Sequence, residues 1–484
     1  MTSLRKSTRP FTRIARAVTL ATAVISAAAC GDADVTAPPT PPRSESIPAT
    51  AQRSGDAAAG YEYLRYGDFI GSGVPVDVFL QFFQGARVTN ELERTGDNAM
   101  LPRAFNAFDL TVDGRRVRVV GGTTCFGCHA GSINGRFIPG LGSTTANFTA
   151  DSSARVRLLD TLVRAQYGED SSEWRAYLPF SRGAQAVGPF ATTPFPGVNG
   201  AFLLEDAAAS HRDPRSLAWR DEPAWSSAPT AEHPRIASDT PAWWLLRKKN
   251  ALYYNGMGRG DFARMLMQVS VVAVRDSAQA DDILTHFGDV LAWLRELRPP
   301  TYPAAVDTAR ATRGRVVFED RCASCHGTYG DGGAYPNLLV PIATVGTDPA
   351  YAEQFMAPGR LTDWFNRSWY AGAGADTARM VPSRAYLAPP LDGVWATAPY
   401  LHNGSVPTLA ALLESATRPT RWVRDLASST YDMTAVGWPV AVVAASDAQT
   451  YDTTRVGYSN RGHTFADSLS RDDRAALLEY LKTL

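Results

Sequence analysis

Net charge is missing from this chain: Lys+Arg and Asp+Glu each number 48 in 484 residues. A balanced chain has no overall field to draw it to nucleic acid or to an acidic partner. Cysteine is scarce. Five residues are too few for a disulfide framework in a chain of this length. Long apolar runs are missing as well. The stretch Ala17–Ala29 (AVTLATAVISAAA) falls short of the roughly 20 residues that span a bilayer, and no later segment is long and apolar enough to cross one. What remains is an ordinary globular balance, 45% apolar and 20% charged, with length for two or three domains.

The charge balance is uneven at the start. Arg5, Lys6, Arg9, Arg13 and Arg16 precede the short apolar stretch with no acid among them, the pattern of a secretory signal. Small residues then meet Cys30-Gly31, as in a lipoprotein signal cut before a lipidated cysteine. Ala27 stands where that signal usually has Leu, so an ordinary cleavage near Ala29 is the competing reading. Either one predicts an exported protein in the periplasm or cell envelope. Only the first anchors it, through a lipid on Cys30.

The other four cysteines form two pairs, each followed directly by histidine: Cys125, Cys128, His129 and Cys322, Cys325, His326. C-x-x-C-H is the attachment pattern of c-type haem. Two thiols three positions apart can add to the two vinyl groups of one porphyrin, and the next residue sits beneath the ring, where its imidazole binds iron. A Cys₄ zinc site places its pairs about 15–20 residues apart, whereas Cys128 and Cys322 are separated by the whole middle of the chain. Thioredoxin-like redox pairs need a βαβ setting that the sequence does not show. Two c-type haems consume four cysteines and leave no internal disulfide.

Along the chain, 1–30 reads as signal peptide and 31–60, rich in Ala, Pro and Ser, as a disordered tether. A first haem domain is expected over 61–300 and a cytochrome c domain over 301–484. Asp113-Gly114 between Leu110-Thr111-Val112 and Val117-Arg118-Val119 predicts a hairpin just before the first motif. Helical spacing predicts helices over 154–167, 261–274 and 280–297, with loops over 168–240. Asp307–Arg321 predicts a helix leading into the second motif, with Gly314 and Phe318 on one face. Ser470, with Asp473 three residues on, caps a last helix carrying Leu477, Leu478 and Leu481.

Further stretches carry a resemblance: Trp243-Trp244 with Asn250-Ala-Leu-Tyr-Tyr-Asn-Gly256 and Gly258-Arg-Gly-Asp261; Leu387-Ala-Pro-Pro-Leu-Asp-Gly through Tyr400-Leu-His-Asn-Gly-Ser405; and Gly462-His463 with the terminal helix. Over roughly 61–484 the chain resembles the bacterial di-haem cytochrome c peroxidases, MauG-type enzymes and rubber oxygenases, nearest the rubber-oxygenase branch. The resemblance implies a mainly α fold of two cytochrome c-like haem domains with long loops and little β-structure. It implies an oxidoreductase that activates peroxide or oxygen at the first haem, held by His129, with electrons passing through the second. An electron-transfer protein is then a possible partner. A pure electron carrier with both haems six-coordinate is the alternative.

By the same resemblance, the sixth ligand of the second haem would be His463, with Met380 or His402 as alternatives. The Met or Tyr ligand of the peroxidase and MauG branches falls near Ala416, which cannot bind iron. Calcium between the haems would take carbonyls of Thr397 and Pro399, and Asn147 is the candidate for the asparagine of that site. Trp243 or Trp244 would lie between the haems.

Overall fold

Asp113 and Gly114 take left-handed conformations, φ 50° and 74°. They join strands Phe105–Val112 and Arg115–Gly122 in an eight-pair antiparallel hairpin. Two consecutive positive φ values match the twist of paired strands. The hairpin delivers the chain to Thr124, immediately before the first C-x-x-C-H.

The computed structural model describes residues 43–83, 88–122, 124–231 and 233–484. The expected signal, Cys30 and the first part of the expected tether lie outside them. From residue 43 the tether expectation is corrected. Glu45–Ser46 pair antiparallel with Leu338–Pro341, which pair in turn with Ala385–Leu387. Ile47 is buried among Ala251, Leu339, Ala385 and Leu387. Its partners come from far along the chain, so local composition could not reveal them.

Helix Ser153–Tyr167 forms where expected. The expected loop over 168–240 is also corrected, because it contains helices Ser172–Val187 and Ala201–Ser210. The first carries Pro179 in its interior, a position that normally breaks a helix. Here Ser72 repairs it. Its hydroxyl donates to the Ala176 carbonyl at 2.7 Å and accepts from the Phe180 N–H at 2.9 Å. The expected helix 261–274 is a short α-helix, Phe262–Leu266, continued as 3₁₀ over Met267–Val272. The expected helix 280–297 is two, Ser277–Leu284 and Phe287–Glu296, parted at Thr285, whose hydroxyl bonds back to the Asp282 carbonyl.

Helix Thr308–Arg321, capped by Asp307, leads into Cys322, and helix Arg471–Leu481, capped by Ser470, packs across it. Gly314 lies at the crossing. A Cβ there would stand 1.9 Å from the Ala476 carbonyl oxygen, so only glycine permits this approach. Phe318 meets Tyr480 at 5.2 Å between centroids.

Helix outweighs strand, 39% against 13%, so the mainly α expectation holds only loosely. Much of the backbone is irregular and is stitched by sheets of two or three strands. Residues 42–484 form one compact unit. Two sheets cross the expected boundary at 300/301: Glu45–Ser46 with Leu338–Pro341, and Gly258–Gly260 with Ala378–Met380. Adjacent Trp243 and Trp244 fall in different apolar cores, the first with Phe126 and Phe287, the second with Phe318 and Leu477.

Candidate haem sites

Each C-x-x-C-H folds as a tight helical turn. His129 donates its N–H to the Cys125 carbonyl at 2.9 Å, and His326 to that of Cys322 at 3.0 Å. One turn places residues i, i+3 and i+4 on one side, so both sulfurs and the imidazole face the same space. In both motifs the histidine Nδ1 is tied to a proline carbonyl: His129 to Pro241 at 3.1 Å and His326 to Pro389 at 2.8 Å. A carbonyl can only accept, so Nδ1 carries the proton and Nε2 is left free as a metal ligand.

The thiols are unpaired. Cys125, Cys128 and His129 keep part of their surface accessible. Yet burial pushes the Cys125 thiol up to about 12 and that of Cys128 to about 11, and pushes the imidazole down to about 4. The second motif behaves alike: burial raises Cys322 to about 11 and lowers His326, while His463 falls to about 4 through burial and the neighbouring His326. Neutral imidazoles suit iron.

His463 comes from a loop near the C-terminus and stands opposite His326, with ring centroids 6.1 Å apart and planes at 62°. Metal–imidazole nitrogen bonds are about 2 Å long, so two rings sharing one metal from opposite sides have centroids about 6 Å apart. Met380 is buried in the strand paired with Gly258, its backbone bonded on both sides to the Asn366 amide. His402 stacks on Tyr386 at 4.2 Å, and its Nε2 lies 3.1 Å from that hydroxyl, which itself donates to the Asp348 carbonyl.

Opposite contacts meet on the segment 241–248. Trp243 stacks on the His129 ring at 4.5 Å and 17°, just after Pro241, whose carbonyl holds that histidine. Trp244 donates from Nε1 to the Asp392 carbonyl at 2.8 Å, in the loop that also carries Pro389, the partner of His326. Arg247 and Lys248 clamp the Asp392 carboxylate at 3.2 and 2.8 Å. One short segment thus joins the two histidines.

The structure also presents a carboxylate the sequence did not single out. Asp239 is 6% exposed. Its Oδ2 accepts from the Tyr254 hydroxyl at 2.9 Å, its Oδ1 has no partner, and burial pushes it up to about 8. It abuts the Gly404 turn, which touches Pro399. Asn147 instead caps its own turn at Thr149 and is exposed. Thr397 bonds locally to Val394, and the Ala398 carbonyl accepts from Trp438 Nε1. Among the described lysines, Lys248 and Lys482 pair with carboxylates. Lys249 pairs with none, and burial lowers it to about 8. No local pattern marks Asp239, since its significance lies in what it fails to bond.

A family model described as "RoxA-like, cytochrome c-like" matches residues 385–423, and one described as "Cytochrome c" matches 311–382. Among curated proteins, the uncharacterized protein y4iM of Sinorhizobium fredii is 31% identical over 312 residues, 54% of this chain and 68% of that one. The chain is a c-type cytochrome of the RoxA-like family. The uncharacterized protein y4iJ of the same organism is 35% identical over 252 residues, 39% of this chain and 41% of that one. The cytochrome c match contains Cys322, Cys325 and His326, and the RoxA-like match contains Pro389, Asp392 and the Thr397–Pro399 turn. A RoxA-like cytochrome carries c-type haem and uses it for electron transfer.

Proposed function

We propose that this RoxA-like cytochrome is an exported di-haem oxidoreductase. One haem is held by Cys125, Cys128 and His129 and reacts with peroxide or oxygen. The other is held by Cys322, Cys325, His326 and His463 and passes electrons. The observation that carries this reading is an asymmetry. His326 faces a second imidazole at 6.1 Å, whereas among the described residues no other histidine ring stands that close to His129, whose aromatic neighbour is Trp243. Haem with strong ligands on both faces supplies electron transfer alone, and haem with one face open also binds small oxidants.

The residues supply the rest. Pro241 and Pro389 fix the imidazole tautomers and orient the rings. Trp243 and Trp244 bridge the two sites. Lys249 offers an unpaired positive charge to a haem propionate. If calcium binds, the Thr397 and Pro399 carbonyls and the unpartnered Oδ1 of Asp239 are the oxygens that would hold it. Export fits a haem that is attached outside the cytoplasm, with lipidation at Cys30 as the anchor.

Electron paramagnetic resonance of the oxidised protein tests the reading. One high-spin and one low-spin ferric haem are expected, with added peroxide perturbing the high-spin signal first. Two low-spin signals unchanged by peroxide would support a pure electron carrier instead. A melting temperature indifferent to a calcium chelator would remove the calcium.

A further inference from the structure

His463 holds an uncommon backbone conformation. Its φ is +48°, in the left-handed region that residues with a Cβ seldom occupy. Gly462 before it is also left-handed, at φ +77°, and packs so closely on Gly346 that a Cβ would stand 2.2 Å from the Gly346 carbonyl carbon. Such a conformation persists only where its surroundings over-determine it, and it points to function when it does.

The chief element of those surroundings is one side chain. Arg418 is 8% exposed. Among the described residues no carboxylate lies within 4 Å of its guanidinium, and its hydrogen bonds go to five backbone carbonyls. Nη1 donates to Asn460 and Gly462, each at 2.7 Å. Nη2 donates to His463 at 3.0 Å and to Leu412 at 2.9 Å. Nε donates to Ala411 at 3.2 Å. The fork thus ties three carbonyls of the His463 loop to the end of helix Leu409–Leu413. Two other bonds complete the cradle: the His463 N–H donates to the Val345 carbonyl at 2.7 Å, and the Asn460 amide donates to the Pro419 carbonyl at 2.9 Å.

We infer that Arg418 is the positioning residue that holds His463 opposite His326, so that the second imidazole is in place before iron arrives. The inference rests on the reading of His463 as the sixth ligand. Iron ligation needs the donor nitrogen placed to within about 0.5 Å, and a loop in a strained conformation does not keep that placement unaided. The planar fork matters, because it reaches several carbonyls from one rigid group. Lysine, a point charge with three rotatable donors, cannot reproduce that set. The chain after the Tyr400–Ser405 segment brings no ligand of its own at Ala416. Two residues later it brings the group that holds a ligand supplied from elsewhere.

The test uses the full-length, haem-loaded protein as Arg418→Ala, Arg418→Lys and His463→Ala, with haem content checked by intact mass and fold by circular dichroism. Arg418→Ala should keep both haems and convert a large fraction of the low-spin signal to high-spin, and added imidazole should restore it. Arg418→Lys should give a smaller conversion with native circular dichroism, which keeps the test decisive if the alanine variant fails to fold. If His463→Ala turns high-spin while Arg418→Lys and any folded Arg418→Ala keep the wild-type spectrum, the inference about Arg418 is overturned and the ligand stands. If His463→Ala itself keeps the wild-type spectrum, the ligand reading falls and Arg418 loses its role with it.

Discussion

Replacing His463 with alanine is expected to turn the second haem from six- to five-coordinate, so that the low-spin ferric signal disappears and a second high-spin signal takes its place. The expectation follows from position. The His463 ring lies 6.1 Å from that of His326, and burial keeps both imidazoles neutral. Of the two alternatives, Met380 is buried in a strand paired with Gly258, and His402 stacks on Tyr386. The truncation leaves a void where the ring stood, so carbon monoxide should bind two reduced haems in the variant and one in the parent. Haem content should not change, because attachment runs through Cys322 and Cys325. An absorption and resonance spectrum identical to the parent would reject His463 as the ligand.

Replacing Gly314 with alanine is the second large expected effect, and here two terms oppose each other. In a helix interior alanine is favoured over glycine by about 1 kcal/mol. Against that, the new methyl would stand 1.9 Å from the Ala476 carbonyl oxygen and 2.5 Å from its carbon. Those are backbone atoms in the middle of helix Arg471–Leu481, so no side chain can rotate away. The two helices must separate, and the Phe318–Tyr480 contact and the burial of Leu477 between them loosen. Overpacking of this kind costs about 1–3 kcal/mol, at times more, so the clash outweighs the propensity gain. The expected result is a lower melting temperature, and valine should be worse than alanine. An alanine variant that melts at or above the parent temperature would show that the helices cross less tightly than described.

Much of both sites was legible in the sequence for a physical reason: their grammar is local. C-x-x-C-H packs three chemical roles into five residues, Asp113-Gly114 encodes its own turn, and Ser470 with Asp473 encodes its own cap. Gly314 and Phe318 fall on one face by helical spacing alone. What stayed hidden depends on partners far away. Glu45–Ser46 become a strand only because Leu338–Leu339 lie beside them. Helix Ser172–Val187 runs through Pro179 with Ser72 bridging the Ala176 carbonyl and the Phe180 N–H beside it. Arg418 looks like any arginine until its five carbonyl partners are seen. Asp239 is silent for the same reason: a buried carboxylate with a bare oxygen leaves no mark on the residues around it.

All of this depends on porphyrin being bound through sulfur at both motifs. Intact mass spectrometry of the denatured, mature protein, produced with a working haem-ligation pathway, measures that directly, since thioether-linked haem survives unfolding. The account predicts the polypeptide plus two haems, falling to one when Cys125 and Cys128 are both replaced by alanine. A mass showing one haem or none in the unaltered protein would contradict it.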